Sequence, residues 1–384
     1  MTSIQDRKQT VYYPFSMILE LHYFYFIQLG SSSDNADAPQ SRHTLVKFFP
    51  LNVPRRMIKD KDHFMRNLAV ALAARDFAPP FIKDISASYF GQRYHLGTVR
   101  EWAEGRTLQQ MVIEAGRDGD ILLQSDSLFT QLGAVLANFH LLIADDKFRK
   151  DIVDHHFPDA VSMALSRLEE WRRGAMISLL GSPLRESKKW GNLYRCIVDA
   201  ASKVIETVGS AVGNLKTDRA LLPVFGHNDC SPSNIVVRGS KLNQATTAEE
   251  VYLIDEEWAA PNWAVYDFAN FVMAIKLLQL RGSTDFSDAS LRHALLTMAS
   301  AYSKTRSAHS EDDFVLAHEF VDDVWSFLPV VALTHCFSNL IHASKECQLT
   351  TAIPVDDTLY DERGTFNWLR HASDHMTVLK LFSD

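Results

Sequence analysis

The sequence has no closely spaced cysteines. Cys196, Cys230, Cys336 and Cys347 lie far apart without a C-x-x-C pair, which excludes a zinc ribbon or a disulfide framework and leaves reduced thiols, as in the cytoplasm. Basic charge is short as well. Lys and Arg number 39 against 47 Asp and Glu, a net charge of -8, and no segment concentrates cations as a nucleic-acid binder must, whereas a cationic small molecule suits the balance. The apolar stretch "VYYPFSMILELHYFYFIQL", residues 11 to 29, is not expected to cross a membrane: it is interrupted by Pro14, Glu20 and His22 and is rich in strand-forming aromatics. The opening "MTSIQDRKQT" lacks the basic and apolar regions of a secretory signal. What remains is an ordinary globular composition, 46% hydrophobic and 22% charged, and 384 residues exceed the usual single domain, so two lobes with a cleft are expected.

The first hundred residues predict strands around one helix. "ELHYFYFIQLG" and "HTLVKFFPL" flank a polar hairpin loop, "DKDHFMRNLAVALAARD" sets Phe64, Leu68 and Leu72 on one helical face, and "YHLGTVREWAEGRTL" gives a strand ending at Glu104 and Gly105. From Thr107 onward the apolar period becomes helical, as in "SLFTQLGAVLANFHLLI", "DAVSMALSRLEEWRRGAMISLL" and "RCIVDAASKVIETVGSAV". Within this helical part sit three short apolar strands, "LPVFGH", "NIVVRG" and "VYLIDEEW". Residues 264 to 384 are again helical, without a repeat period. Trp171, Arg172, Asp322 and Asp323 are expected on helix surfaces. The fold class is therefore α+β, with a small β-rich lobe over 1–102 and a larger helical lobe over 103–384.

The loop "FGHNDCSPSNIVV", residues 225 to 237, places His227, Asp229 and Asn234 between two strands, and a third strand runs into Asp255. Phosphoryl transfer asks for these groups: a carboxylate at the acceptor hydroxyl, an oxygen ligand for Mg²⁺, and a carboxylate holding the metal that bridges the phosphates. Glu257 would add a second acidic ligand if the strand continued and projected it to the same side.

"HNDCSPSN" fits the H-x-D-x-x-x-x-N signature of the aminoglycoside phosphotransferase and choline kinase superfamily. "LIDEEWAAPNWAVYDFANF", residues 253 to 271, resembles the narrower choline/ethanolamine kinase pattern I-D-x-E-Y-x-x-x-N-Y-x-x-x-D-I-x-N, with Asp255, Glu257, Trp258, Asn262, Trp263, Asp267 and Asn270 in register. The resemblance implies a bilobal protein-kinase-like fold and ATP- and Mg²⁺-dependent transfer of a γ-phosphoryl group to choline, ethanolamine or a related amino alcohol. It casts Asp229 as catalytic base, Asn234, Asp255 and Glu257 as metal ligands, and His227, Asn262, Asp267 and Asn270 as supports of the loop. Lys47 in "HTLVKFF" would meet nucleotide phosphates. "FAPPFIKD", residues 77 to 84, stands as the turn after the first helix, and "VREWAEGRTL", with Glu101 and Trp102, as the linker beside the nucleotide. His140 is expected to be structural. Trp258, Trp263 and Trp325 are candidates for an aromatic wall around the cationic end of the acceptor.

The chain also departs from that pattern. No glycine precedes Gly30, so the Gly-rich turn over the phosphates is missing and Ser16 stands in its region. Phe64 occupies the place of the acidic partner of the small-lobe cation, with Asp60 and Asp62 nearby. Where choline kinases carry an acid and a tryptophan after D-I-x-N, this chain has "FVMAIKLL" with Ala274 and Ile275. Two rivals therefore stand beside the amino-alcohol kinase: a pseudokinase binding a ligand or partner, and a kinase for an aminoglycoside- or sugar-like hydroxyl. Homodimerisation is left open.

Overall fold

The computed structural model describes residues 23–28, 43–48, 81–89, 92–101, 105–154, 163–180, 182–187, 190–213, 215–216, 219–238, 250–309, 318–350 and 365–381. The chain first builds a four-stranded antiparallel sheet from β1 (Tyr23–Gln28), β2 (His43–Phe48), β3 (Phe81–Tyr89) and β4 (Gln92–Glu101), in the order β1-β2-β4-β3. β1 falls inside the apolar stretch 11–29, so its described part is a strand and not a helix. Lys47 lies mid-strand, opposite Phe24 and Thr98, and Glu101 ends β4 opposite Thr44. The expected turn at 77–84 needs correction: Phe81 to Asp84 already belong to β3, which pairs antiparallel with β4. The helix expected over 60–76, Phe64 with it, lies outside the described residues, as does Trp102.

The chain then becomes mainly helical: α1 (Leu108–Ala115), α2 (Asp126–His140), α3 (Met163–Leu180) and α4 (Trp190–Gly213), then α5 (Ala264–Leu280), α6 (Asp288–Ser307), α7 (His318–Thr350) and α8 (Thr365–Leu381). This sequence of a small antiparallel sheet and a larger helical part is the expected bilobal α+β architecture. Gly105 opens the helical part at φ 155°, packed so closely on β7 (Ile235–Arg238) that a Cβ would collide with the Val237 carbonyl. Thr107 caps α1 with a reciprocal capping box, its hydroxyl accepting from the Gln110 N–H while the Gln110 side chain accepts from the Thr107 N–H.

Between α4 and α5 the remaining strands form two small sheets. β5 (Arg106–Thr107), β7 and β8 (Glu250–Leu253) pair in the order β5-β7-β8, while β6 (Pro223–Gly226) pairs antiparallel with β9 (Ala260–Trp263). The core centres on α5, buried on nearly every face from Ala264 to Met273, as a helix apolar all round must be. α2 and α6 cross at Gly133, where a Cβ would strike the backbone of Met298. Two segments, Asp126–Ala144 and His318–Ser344, are long and apolar enough to span a membrane, and each has a large buried share in the fold.

Two surface expectations are corrected. Asp323 is buried because its Oδ1 accepts the Lys216 backbone N–H at 2.6 Å, while Asp322 stays at the surface with Lys216 and Arg292. Trp171 is partly buried against the core, its ring 6.3 Å from that of Trp258.

Candidate active site

β6 and β9 bring "PVFG" and "APNW" edge to edge, and α5 presents Asp267 and Asn270, one turn apart, to the loop that leaves β6. Asp267 is the anchor. Its two oxygens accept the backbone N–H groups of His227 and Asn228, each at 2.7 Å, and its Oδ2 also faces His140 Nε2 at 2.9 Å. Burial alone would push this carboxyl up, but the His140 bond and the surrounding donors hold it below the usual carboxylate range. An ionised Asp267 fixes the His140 tautomer. Nε2–H donates to Asp267, leaving Nδ1 to accept the Tyr302 hydroxyl at 2.8 Å, and Tyr302 in turn accepts from Arg306. Burial lowers the pKa of His140, so the imidazole is held neutral.

Asn228 has φ 62°, a left-handed conformation that Asn tolerates better than most residues. Its side chain ties three backbones together: Nδ2 donates to the carbonyls of Gly226, Trp258 and Ala260, and Oδ1 accepts from Asn262. Asn270 Nδ2 donates to the Asn228 carbonyl at 3.1 Å. These bonds leave the backbone on both sides of Asp229 little freedom.

Asp229 is half-buried. Asn234 Nδ2 donates to its backbone carbonyl at 3.0 Å and to its Oδ2 at 2.8 Å, across a short 3-10 turn begun by Pro232. Desolvation raises the Asp229 pKa and the Asp255 carboxylate adds to the rise, while His335 and His227 oppose it. His227 bonds the Ile254 carbonyl through Nε2 at 3.0 Å, which ties the Asp229 loop to the end of β8.

The strand argument for Glu257 does not hold. β8 ends at Leu253, Asp255 turns left-handed at φ 62° and ψ 49°, and Glu256–Trp258 form a single 3-10 turn, so strand alternation stops before Glu257. The Glu257 side chain lies outside the described residues, as do those of Lys47 and Glu101. The tryptophans do not gather into one wall. Trp258 is 42% exposed and its ring faces Trp171, Trp263 packs edge-on to Phe327 at 6.0 Å, and Trp325 lies under the Arg292 guanidinium on the α6 side of α7. Trp325 and Phe327 are two positions apart on one helix, so they point in nearly opposite directions.

The donor set suits a hard divalent cation. With its NH₂ turned to Asp229, the Asn234 amide keeps its Oδ1 as an oxygen donor, and Asp255 brings a carboxylate close enough to perturb Asp229. Among the described residues no three His, Cys, Asp or Glu side chains cluster as a closed metal cage. Mg²⁺ suits such a sparse set, because it keeps waters and phosphate oxygens in its shell. Sequence reasoning passed over Asn228, the variable position of H-x-D, and His335, whose Nε2 meets Asn270 Nδ2 at 3.1 Å.

A choline/ethanolamine kinase family model matches residues 83–378. Among solved structures, an ethanolamine kinase from Plasmodium vivax shares 13% identity at a TM-score of 0.53, over 92% of this chain and 81% of that one. A protein from Ralstonia eutropha described as an aminoglycoside phosphotransferase shares 10% identity at a TM-score of 0.51, over 88% of this chain and 87% of the other. No curated protein matches the sequence.

Proposed function

Because this chain belongs to the choline/ethanolamine kinase family, we propose that it transfers the γ-phosphoryl group of ATP to the primary hydroxyl of choline, ethanolamine or a related amino alcohol. The observation that carries the reading is the bond from Asn234 to Asp229, with Asp255 beside them at the end of β8. Asp229 orients the acceptor hydroxyl and takes its proton, and its raised pKa makes it a better proton acceptor than an ordinary aspartate. His227, Asn228, Asn262, Asp267 and Asn270 hold the loop before catalysis begins, so little reorganisation is left for the transition state. Asn234 and Asp255 would hold Mg²⁺, with Glu257 as a further acidic ligand, and the ion would neutralise charge on the transferring phosphates. Lys47, Glu101 and Trp102 are assigned to the nucleotide and residues 1–102 to its lobe. The described cysteines Cys196, Cys230 and Cys336 are free thiols, in keeping with a cytoplasmic setting.

The test is a pair of measurements. A saturating level of MgATP, 100 times its dissociation constant, should stabilise the protein by about 2.7 kcal/mol in a thermal melt. Asp229→Asn should keep that stabilisation and lose about 10²- to 10⁴-fold in kcat with an amino alcohol acceptor. Unchanged turnover in Asp229→Asn would overturn the mechanism. No Mg²⁺-dependent stabilisation would favour a pseudokinase, the reading that the absent early glycines support.

A further inference from the structure

α7 and α8 meet along a seam of imidazoles. His335, Asn339 and His342 recur at helical spacing on α7, and Trp368, His371 and His375 on α8. His342 stacks on Trp368 at 4.8 Å and His335 on His375 at 5.4 Å, the latter pair only 20° from parallel. None of these residues belongs to the two motifs. Yet the His335 end of the seam adjoins the Asp229 loop: one Asn270 amide donates both to His335 Nε2 and to the carbonyl of Asn228, the residue before Asp229. His335 and the Asp229 carboxylate also interact electrostatically.

The hydrogen bonds fix both tautomers. His335 Nε2 accepts from Asn270, which leaves the ring proton on Nδ1. His375 Nδ1 lies 2.7 Å from the His371 carbonyl and must donate to it, which leaves a lone pair on Nε2. Burial lowers both pKa values, that of His375 to about 3, so the rings are neutral at ordinary pH. The stack therefore offers one N–H donor, His335 Nδ1, and one acceptor, His375 Nε2. Neither atom is hydrogen-bonded among the described residues.

A hydroxyl can use a donor and an acceptor together. A trimethylammonium group can use neither, and a primary ammonium only the acceptor. We propose that His335 and His375 line the acceptor side of the site and select an alcohol carrying a second hydroxyl over one ending in a bare quaternary ammonium. The proposal rests on the kinase reading for the location of the acceptor and narrows its substrate class. The aromatic row Trp258, Trp263 and Trp325 does not supply that specificity, because the three rings face different neighbours.

The probes are serinol (2-amino-1,3-propanediol), ethanolamine and choline, which differ in the second hydroxyl and in the substitution of nitrogen. Calorimetric titration of the full chain with each, in the presence of MgADP, reads binding without turnover. Serinol should bind tighter than ethanolamine and choline. His335→Phe and His375→Phe, which keep the ring and its stacking, should each weaken serinol by about tenfold and leave choline unchanged, the size expected for one hydrogen bond. A melting curve for each variant establishes folding, and either variant suffices. Equal binding of the three probes, no detectable binding of any, or a serinol preference that survives both substitutions would overturn the proposal. A preference that behaves as expected, together with no phosphoryl transfer from ATP, would sink the kinase reading and leave the histidine pair as a diol-binding site.

Discussion

Asn228 shows how much one side chain can organise. Its amide joins β6, the 3-10 turn and β9, and its own N–H is held by Asp267. Asn228→Leu should cost the left-handed backbone strain of about 1–3 kcal/mol and the lost bonds besides. A lowered urea midpoint together with depressed turnover is the expected outcome, and a variant equal to the parent in both would show the loop to be held by other means. Asp267→Ala removes the acceptor of two buried backbone N–H groups and of the His140 Nε2–H, and each donor left unpaired should cost about 1–3 kcal/mol by equilibrium unfolding. The H-x-D-x-x-x-x-N spacing marks His227, Asp229 and Asn234 in the sequence, whereas the demand on position 228 is a backbone angle and a set of carbonyls about thirty residues ahead. No local pattern encodes that demand. Asp323 was misread for the same reason, since its partner is a backbone N–H more than a hundred residues earlier.

Helices α2 to α8 are visible in the apolar pattern because each buries a continuous stripe or, for α5, nearly every face from Ala264 to Met273. The strand β9 is not. "APNW" is four residues long with Pro261 and Asn262 inside, both rare in strands, and it is extended because β6 pairs with it. The end of β8 illustrates the converse: a run that looks like a continuing strand stops where Asp255 turns left-handed, which disconnects Glu257 from the alternation. Contacts between helices give a further prediction. Gly133→Ala places a methyl group on the Met298 backbone where α2 crosses α6, and the forced separation should destabilise the protein by about 1–3 kcal/mol. A denaturant titration in which the alanine variant is as stable as the parent would show that the crossing can relax.

The whole molecule carries its pH dependence in buried imidazoles. His140 and His375 are kept neutral by burial, the latter with a pKa of about 3, while the unfolded chain binds a proton at each near pH 6.5. Their contribution to stability is therefore complete above about pH 6.5 and lost as the pH falls toward the folded values. Asp267, whose folded pKa is depressed, gives up its contribution only in the more acidic range below about 4. Urea midpoints should thus fall between about pH 6.5 and 4.5, before most carboxylates titrate. His375→Phe should reduce the slope by one proton, about 1.4 kcal/mol per pH unit. A flat profile over that interval would contradict burial of neutral rings.

Composition, the change of apolar period near Thr107 and the two spaced motifs were enough to read an α+β bilobal chain of this family and to single out Asp229, Asn234 and Asp255 as candidates, because period and spacing are local properties of the chain. The partners of Asp267, the divergent directions of the three tryptophans and the imidazole seam between α7 and α8 emerged only on folding. They depend on which surfaces meet, and residues separated by tens or hundreds of positions leave no local trace of their contact.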